Sequence, residues 1–259
     1  MSIRLSPRDM VVLTILAEMY GAPVDLVAAM LQVSQDRSYR IVRKWIAAGM
    51  IADTRVTPVP GAFWVYPTRT GAEALTGRWV RAWVPRPMMA NHVRTTLEIR
   101  LALVGLDLDR WISERALRSE QPPTRSGMPR PHIHDGRYIT SSGELWAVEV
   151  ELSPKNLTAA KSAMAQAVQA ARAADCAGVT YYCRGEAVKN VIRSAAGALD
   201  LSDGPKVRLA DVDELLASPS APRPELRVIE GGASDHEIPQ ATEPDEETQV
   251  TDPDEGKAV

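Results

Sequence analysis

The chain has 259 residues, 24% of them charged and 45% hydrophobic, which fits one or two globular domains with a proper core. It contains no run of about 18 apolar residues and no signal-peptide pattern, so we expect a soluble, cytoplasmic protein without membrane contact. The two cysteines, Cys176 and Cys183, are too few for a disulfide scaffold and lack the clustering of a zinc site. We expect them to be reduced, structural thiols.

The net charge of −3 is divided unevenly along the chain. Residues 225–259 carry eleven acids against two bases, so residues 1–224 carry 28 bases against 22 acids. A mildly basic body is compatible with nucleic acid, whereas the acidic end would repel it.

The first 84 residues have the pattern of three helices followed by a hairpin. Ser6 and Pro7 predict the start of the first helix, and Ser34 predicts the start of the third, which runs to about residue 48. Residues 50–56 and 62–66 then read as two strands around a proline-rich turn. This order predicts a winged helix-turn-helix domain over residues 1–84, with the third helix as its recognition helix.

The basic residues of this domain cluster on the third helix. Residues 1–87 hold eleven Arg or Lys against six Asp or Glu, so we expect the domain to bind double-stranded DNA. Arg55 or Arg69 would contact phosphates. The alternative is that the domain serves protein contacts or a homodimer. The residues expected near the groove are Ser34, Gln35, Arg37, Ser38, Arg40, Arg43 and Lys44.

Residues 88–215 alternate between helical and strand patterns after a joint at residues 84–87. A long helix over 89–105 contains His92 and Glu98, and a strand over 110–114 ends at Glu114. A polar loop over 121–131 carries Arg125 and Arg130, which could contact a DNA backbone. An alanine-rich helix over 157–174, a strand over 178–183, a helix over 186–198 and a strand over 206–209 follow. The order predicts an α/β core with a mixed sheet and helices on both faces.

The most informative stretch is the hairpin predicted over residues 132–155. Read with a period of two, Trp146, Val148, Val150 and Leu152 share one strand face, and Leu145, Ala147, Glu149 and Glu151 share the other. The two glutamates would lie roughly 7 Å apart. Asp135, on the preceding strand, could approach Glu149 across the hairpin.

Converging carboxylates repel one another unless protons or a cation lie between them, and such oxygen ligands suit Mg²⁺ or Mn²⁺. We therefore predict a metal site at Asp135 and Glu149, with Glu151 as a further ligand or base. Lys155 or Lys161 would steady a nucleophile or phosphate oxygen. The alternative is that both glutamates line the solvated side of an edge strand. We interpret His132 and His134 as one packing residue and one phosphate contact.

An Asp-Gly on one strand, followed by Glu-x-Glu on the next and a lysine soon after, resembles the PD-(D/E)XK nuclease superfamily. More narrowly, residues 5–215 resemble the replication-relaxation family of bacterial mobile elements and plasmids, which join a winged helix to such a core. The resemblance implies metal-dependent DNA cleavage or relaxation in replication or transfer, with Asp135, Glu149, Glu151 and Lys155 as catalytic residues. One departure is that Glu151 stands where the superfamily has lysine. Either Lys155 or Lys161 performs the role of that lysine, or the protein is a non-catalytic DNA-binding regulator of transcription or replication.

Residues 219–259 are rich in Pro, Asp, Glu, Ser and Thr, with almost no large apolar residue after Ile238. Such a segment cannot bury enough apolar surface to offset its chain entropy, so we expect a disordered acidic tail. We interpret it as a solubilising tail, with restraint of the basic body in cis as the alternative.

Overall fold

The computed structural model describes residues 3–121 and 131–218, and these form a mixed α+β fold. The helices are α1 (Pro7–Glu18), α2 (Val24–Leu31), α3 (Gln35–Ala47), α4 (Arg69–Thr76), α5 (Pro87–Val104), α6 (Glu114–Glu120), α7 (Leu157–Ala173), α8 (Glu186–Gly197) and α9 (Val212–Ala217). The strands are β1 (Ala22–Pro23), β2 (Trp64–Val65), β3 (Trp111–Ser113), β4 (Gly136–Ile139), β5 (Leu145–Glu151), β6 (Gly178–Cys183) and β7 (Lys206–Asp211).

The predicted starts of the first and third helices are confirmed. The Ser6 hydroxyl accepts from the Asp9 backbone N–H at 3.1 Å, and the Asp9 carboxylate accepts from the Ser6 N–H at 2.8 Å. This reciprocal pair satisfies two donors that an α-helix leaves unpaired, and Pro7 occupies a position that needs no donor. At α3 the cap is a single bond, in which the Ser34 hydroxyl accepts from the Arg37 N–H.

The two strands expected over 50–56 and 62–66 are only partly formed. β2 pairs antiparallel with β1, and single bridges join Ile51 to Pro67 and Val56 to Trp64. The prolines at positions 58, 60 and 67 lack the N–H that a longer ladder would need, which accounts for the short pairing.

The five-stranded sheet has the order β3-β4-β5-β6-β7. β3, β4 and β5 are antiparallel neighbours, whereas β6 is parallel to β5 and β7 is parallel to β6. The two parallel connections pass through α7 and α8, as parallel pairing requires. The predicted mixed sheet is therefore confirmed, with β5 at its centre.

Two short helices were not predicted from the sequence. The strand expected over 110–114 ends at Ser113, and Glu114 instead begins α6, which Ser113 caps through the Ala116 N–H at 3.0 Å. The last strand, expected over 206–209, extends to Asp211, and Asp211 then caps α9.

Apolar clusters cover both faces of the sheet. Val148 and Val150 of β5 belong to the first cluster, which also contains Leu16 of α1 and Leu31 of α2. Ala147 belongs to the second cluster, which packs against α7 and α8. The first cluster thus crosses the boundary that the sequence placed at residues 84–87. None of the helices within the described residues is long and apolar enough to cross a membrane.

Candidate functional site: a carboxylate and histidine cluster at β4 and β5

Asp135 immediately precedes β4, and Glu149 lies on β5. The register of β4 with β5 begins at Gly136 and Val148, and the Asp135 N–H donates to the Val148 carbonyl at 3.1 Å. The two carboxylates are close enough for the charge of Asp135 to act on Glu149. We refer to His92, His132, Asp135, Glu149 and Glu151 as the acid–histidine cluster.

Both oxygens of Asp135 have partners. Oδ2 accepts from the Val150 N–H at 2.8 Å, and Oδ1 lies 3.0 Å from Nε2 of His92. Burial favours the neutral imidazole, but the hydrogen bond and charge of Asp135 outweigh it, so the pKa of His92 lies above its ordinary value. His92 thus orients Asp135 from α5, 43 positions away in sequence.

Glu149 forms the second pair of the cluster, with His132. Its Oε1 lies 2.7 Å from Nε2 of His132. Burial, with the charge of Asp135 added and the hydrogen bond from His132 opposing, raises the pKa of Glu149 to about 7. Burial lowers the pKa of His132, but the hydrogen bond and charge of Glu149 more than compensate, and the net shift is upward.

The interpretation of Glu149 and Glu151 as residues of a solvated edge is wrong. β5 lies between β4 and β6, and each glutamate is only 8% exposed. Carboxylates at such positions need charged or hydrogen-bonding partners, because burial disfavours an unpaired charge.

Glu151 has Lys155 as its partner, with Nζ 2.5 Å from Oε1. The charge of Lys155 also lowers the pKa of His132, so this lysine lies beside the cluster. The following helix, α7, begins at Leu157, as the sequence predicts, with Asn156 as its cap. Asn156 accepts from the Ala159 N–H at 2.8 Å, which leaves the Lys155 side chain free to turn toward β5.

His134 lies next to His132, with a distance of 5.3 Å between ring centroids. Its Nε2 is 3.0 Å from the Ala167 carbonyl, and its Nδ1 is 3.3 Å from Nε of Arg137. Burial lowers the pKa of His134 to about 4, so the ring is neutral. His132, His134 and Glu149 each bring one ligand atom within 4.8 Å of the others, a group that could hold a metal ion.

Three other charged residues that the sequence placed near the site, Glu98, Glu114 and Lys161, lie outside the acid–histidine cluster. Glu98 pairs with Arg94 at 2.9 Å on α5 and belongs to that helix surface. Glu114 lines a small pocket of about 20 Å³ together with Glu18, His92 and Asp135, a space for about one water. Lys161, the alternative to Lys155, lies on α7 and has no ion pair within the described residues.

The face of α3 presents most of the predicted DNA-contacting residues to solvent. Ser34, Gln35, Arg37, Arg40 and Arg43 are exposed, and within the described residues the three arginines have no ion-pair partner.

Two predicted contacts do not belong to that exposed face. Ser38 is fully buried and donates to the Gln35 carbonyl at 2.6 Å, so its prediction as a DNA contact is wrong. Lys44 is half-buried and pairs with Asp9 at 2.9 Å. Arg55 lies beside the exposed arginines, over the Phe63 ring.

The two predicted cysteine thiols are free and buried, as expected. The predicted loop contacts Arg125 and Arg130 and the acidic tail over 219–259 lie outside the described residues.

Comparison of the chain with protein-family models, with curated proteins and with solved structures gave no match.

Proposed function

We propose that the protein binds double-stranded DNA and hydrolyses a phosphodiester bond at the acid–histidine cluster, with a divalent ion at Asp135 and Glu149. The observation that carries the proposal is the proximity of these two carboxylates, since Asp135 accepts from the Val150 N–H next to Glu149 and its charge acts on Glu149, beside Lys155. The setting would be replication or transfer of a plasmid or another mobile element.

The order of elements supports a nuclease-like core of the PD-(D/E)XK type. A helix, three antiparallel strands, a crossover helix and a parallel strand follow one another as α5, β3, β4, β5, α7 and β6, interrupted by α6. The positions of two acids support the same interpretation, since Asp135 immediately precedes β4 and Glu149 lies on the central strand β5.

The N-terminal half supports a winged helix-turn-helix interpretation. Three helices precede β2, which pairs antiparallel with β1 from the connection between α1 and α2, and the bridge between Val56 and Trp64 closes a wing. The exposed arginines of α3 and Arg55 near the wing form one basic surface. Basic side chains on such a surface contact phosphates and base edges.

Asp135, Glu149, His92 and Lys155 have defined chemical roles in this proposal. A bound divalent ion supplies charge neutralisation at the phosphate and a lowered pKa for its water. Asp135 and Glu149 hold it through carboxylate oxygens, and the Val150 N–H and His92 fix the orientation of Asp135. Lys155 leaves its ion pair with Glu151 and donates to a phosphate oxygen. It thereby performs the role of the superfamily's lysine, whose sequence position is occupied here by Glu151.

A second candidate function is a non-catalytic DNA-binding regulator. It is favoured by one observation: the carboxylates already have protein partners, His92 and Val150 for Asp135, His132 for Glu149 and Lys155 for Glu151. Such a cluster could stabilise a degenerate core without any ion.

Nicking of supercoiled plasmid by the full chain distinguishes the two functions. We expect nicked circles in the presence of Mg²⁺ or Mn²⁺ and none in a chelator, while DNA is bound in both conditions. Salt-sensitive DNA binding without nicking in either metal would support the regulator instead. If the protein does not bind DNA at any salt concentration, both functions are wrong.

A further inference from the structure

We infer that His132, His134 and Glu149 form a site for a transition-metal ion of the zinc class. The site goes beyond the proposed function, because an ion held by two imidazoles and a carboxylate can be structural as well as catalytic. It also differs from the hard-cation site of Asp135 and Glu149 in its ligand chemistry, although both use Glu149.

The hydrogen bonds of His134 define its tautomer. Nε2 faces the Ala167 carbonyl, which can only accept, so Nε2 carries the proton. Nδ1 faces the Arg137 guanidinium, which can only donate, so Nδ1 carries the free lone pair. The ring is therefore neutral and presents Nδ1 as a donor atom.

The hydrogen bonds of His134 are those typical of a metal-ligating histidine. A metal-ligating histidine usually donates its second N–H to a backbone carbonyl or carboxylate, which fixes both the tautomer and the ring orientation. The Ala167 carbonyl, on the crossover helix α7, does this for His134. The Arg137 contact on the ligand side is long, at 3.3 Å, and an ion would displace it.

The other two ligands meet His134 in the same buried space. Glu149 and His132 are in contact at 2.7 Å, and all three ligand atoms lie within 4.8 Å of one another. An ion between them would take the place of the hydrogen bond between His132 and Glu149. The histidines follow each other at alternate positions just before β4, so one strand segment and β5 supply the whole set.

A buried hydroxyl beside the set has no partner. Tyr181 of β6 is registered with Glu149 and is 2% exposed, and its hydroxyl has no hydrogen bond within the described residues. The charge of Glu149 acts on that hydroxyl, so the two groups are near neighbours. A site with three protein ligands leaves a fourth coordination position for water or a substrate. The Tyr181 hydroxyl, close to Glu149, could form a hydrogen bond with that water or substrate.

Titration of the metal-free full chain with Zn²⁺ by calorimetry, and with Co²⁺ by visible absorption, tests the inference. We expect one ion per chain, bound with a low-symmetry Co²⁺ spectrum, and retained in a large excess of Mg²⁺. His132→Asn should weaken Zn²⁺ binding by more than the about 10- to 100-fold that loss of an outer partner costs. His236→Ala, which changes a histidine outside this set, should leave the affinity unchanged.

Two further variants make the result independent of misfolding and of nuclease activity. Arg137→Met removes the donor that competes for Nδ1 and should raise the Zn²⁺ affinity, whereas Lys206→Met, an equal change of charge on exposed β7, should not. Asp135→Asn should retain Zn²⁺ even where plasmid nicking is lost.

Four outcomes would overturn the inference. These are no Zn²⁺ binding, displacement of Co²⁺ by Mg²⁺, a loss in Asp135→Asn equal to that in His132→Asn, and an unchanged affinity in His132→Asn.

Discussion

At the scale of single residues, the acids of the cluster were predictable from the sequence but their partners were not. A period of two places Glu149 and Glu151 on one face of a strand, and the Asp-Gly on the preceding segment predicts that Asp135 lies near Glu149. The pattern contains no information on His92, which reaches Asp135 from a separate helix. The pattern predicts faces and not burial, so it leaves open the alternative that this face of β5 is solvated, whereas α7 covers it.

The contact of Lys155 with Glu151 decides between the two candidate lysines. We expect Lys155→Ala to lower the single-turnover nicking rate by about 100-fold, because it removes a charged donor to the phosphate. Lys161→Ala, the matched change on α7, should leave the rate within about threefold of wild type, a small effect in free energy. Equal rates for the two variants would remove Lys155 from the proposed site.

Asp9 links the first helix to α3 and gives a prediction on pH. Burial alone would raise the pKa of Asp9, but the hydrogen bonds from Ser6 and Lys44 outweigh it, so the pKa lies below its ordinary value of 3.8. Asp9→Asn should lower the free energy of unfolding at pH 7 by about 1–2 kcal/mol.

The ionised form of Asp9 stabilises the fold above its unfolded pKa, and this contribution is lost as the pH falls through the lower folded pKa. The difference between wild type and Asp9→Asn should therefore shrink in acid, as measured by urea unfolding at a series of pH values. Asp53→Asn, at an exposed position, is the control. A difference that stays constant with pH would contradict the assignment.

At the scale of elements, the approach of β3 to β4 depends on a glycine. A Cβ at Gly136 would lie 2.3 Å from the Trp111 ring, which is buried against the sheet. We expect Gly136→Ala to lower the free energy of unfolding by about 1–3 kcal/mol, because the indole has to move. In chemical denaturation, Gly197→Ala, at the end of α8 with open space around it, should be neutral or stabilising by up to about 1 kcal/mol. Equal effects would show that the close contact with Trp111 is unimportant.

The exposed arginines of α3 predict how DNA affinity depends on salt. If Arg40 and Arg43 contact phosphates, each alanine variant should reduce the slope of log affinity against log salt by about 1. Fluorescence anisotropy with a labelled duplex measures this, and Lys206→Ala on β7 is the control. A slope that is the same in all variants would place the DNA on another surface.

The longer elements could be predicted to within a few residues, and the short ones could not. The strand over 178–183 and the helix beginning at residue 157 have continuous apolar or small-residue patterns, and both were confirmed. α6 has seven residues and α9 has six, too few turns to show a period, and both are fixed by caps and tertiary contacts. The wing strands contain the right residue types but lose ladder donors to proline.

At the scale of the whole molecule, the N-terminal helices pack against the rest of the fold through polar contacts as well as apolar ones. Arg115 of α6 donates to the Ala17 carbonyl at 2.6 Å and to the Arg81 carbonyl at 2.9 Å. Arg94 of α5 pairs with Asp25 of α2 at 2.8 Å. The basic surface of α3 and the acid–histidine cluster therefore belong to one packed unit, and a cut should fall at a fixed distance from the bound DNA site.

The most direct test of the proposed hydrolysis is the single-turnover nicking rate at saturating protein, so that differences in DNA affinity do not contribute. With Mn²⁺, we expect Asp135→Asn and Glu149→Gln to nick at least about 100-fold more slowly than wild type while binding the same duplex equally well. Glu144→Gln, at an exposed turn position before β5, should nick like wild type. Nicking that survives in Asp135→Asn and Glu149→Gln, or a wild type that never nicks, would contradict the account.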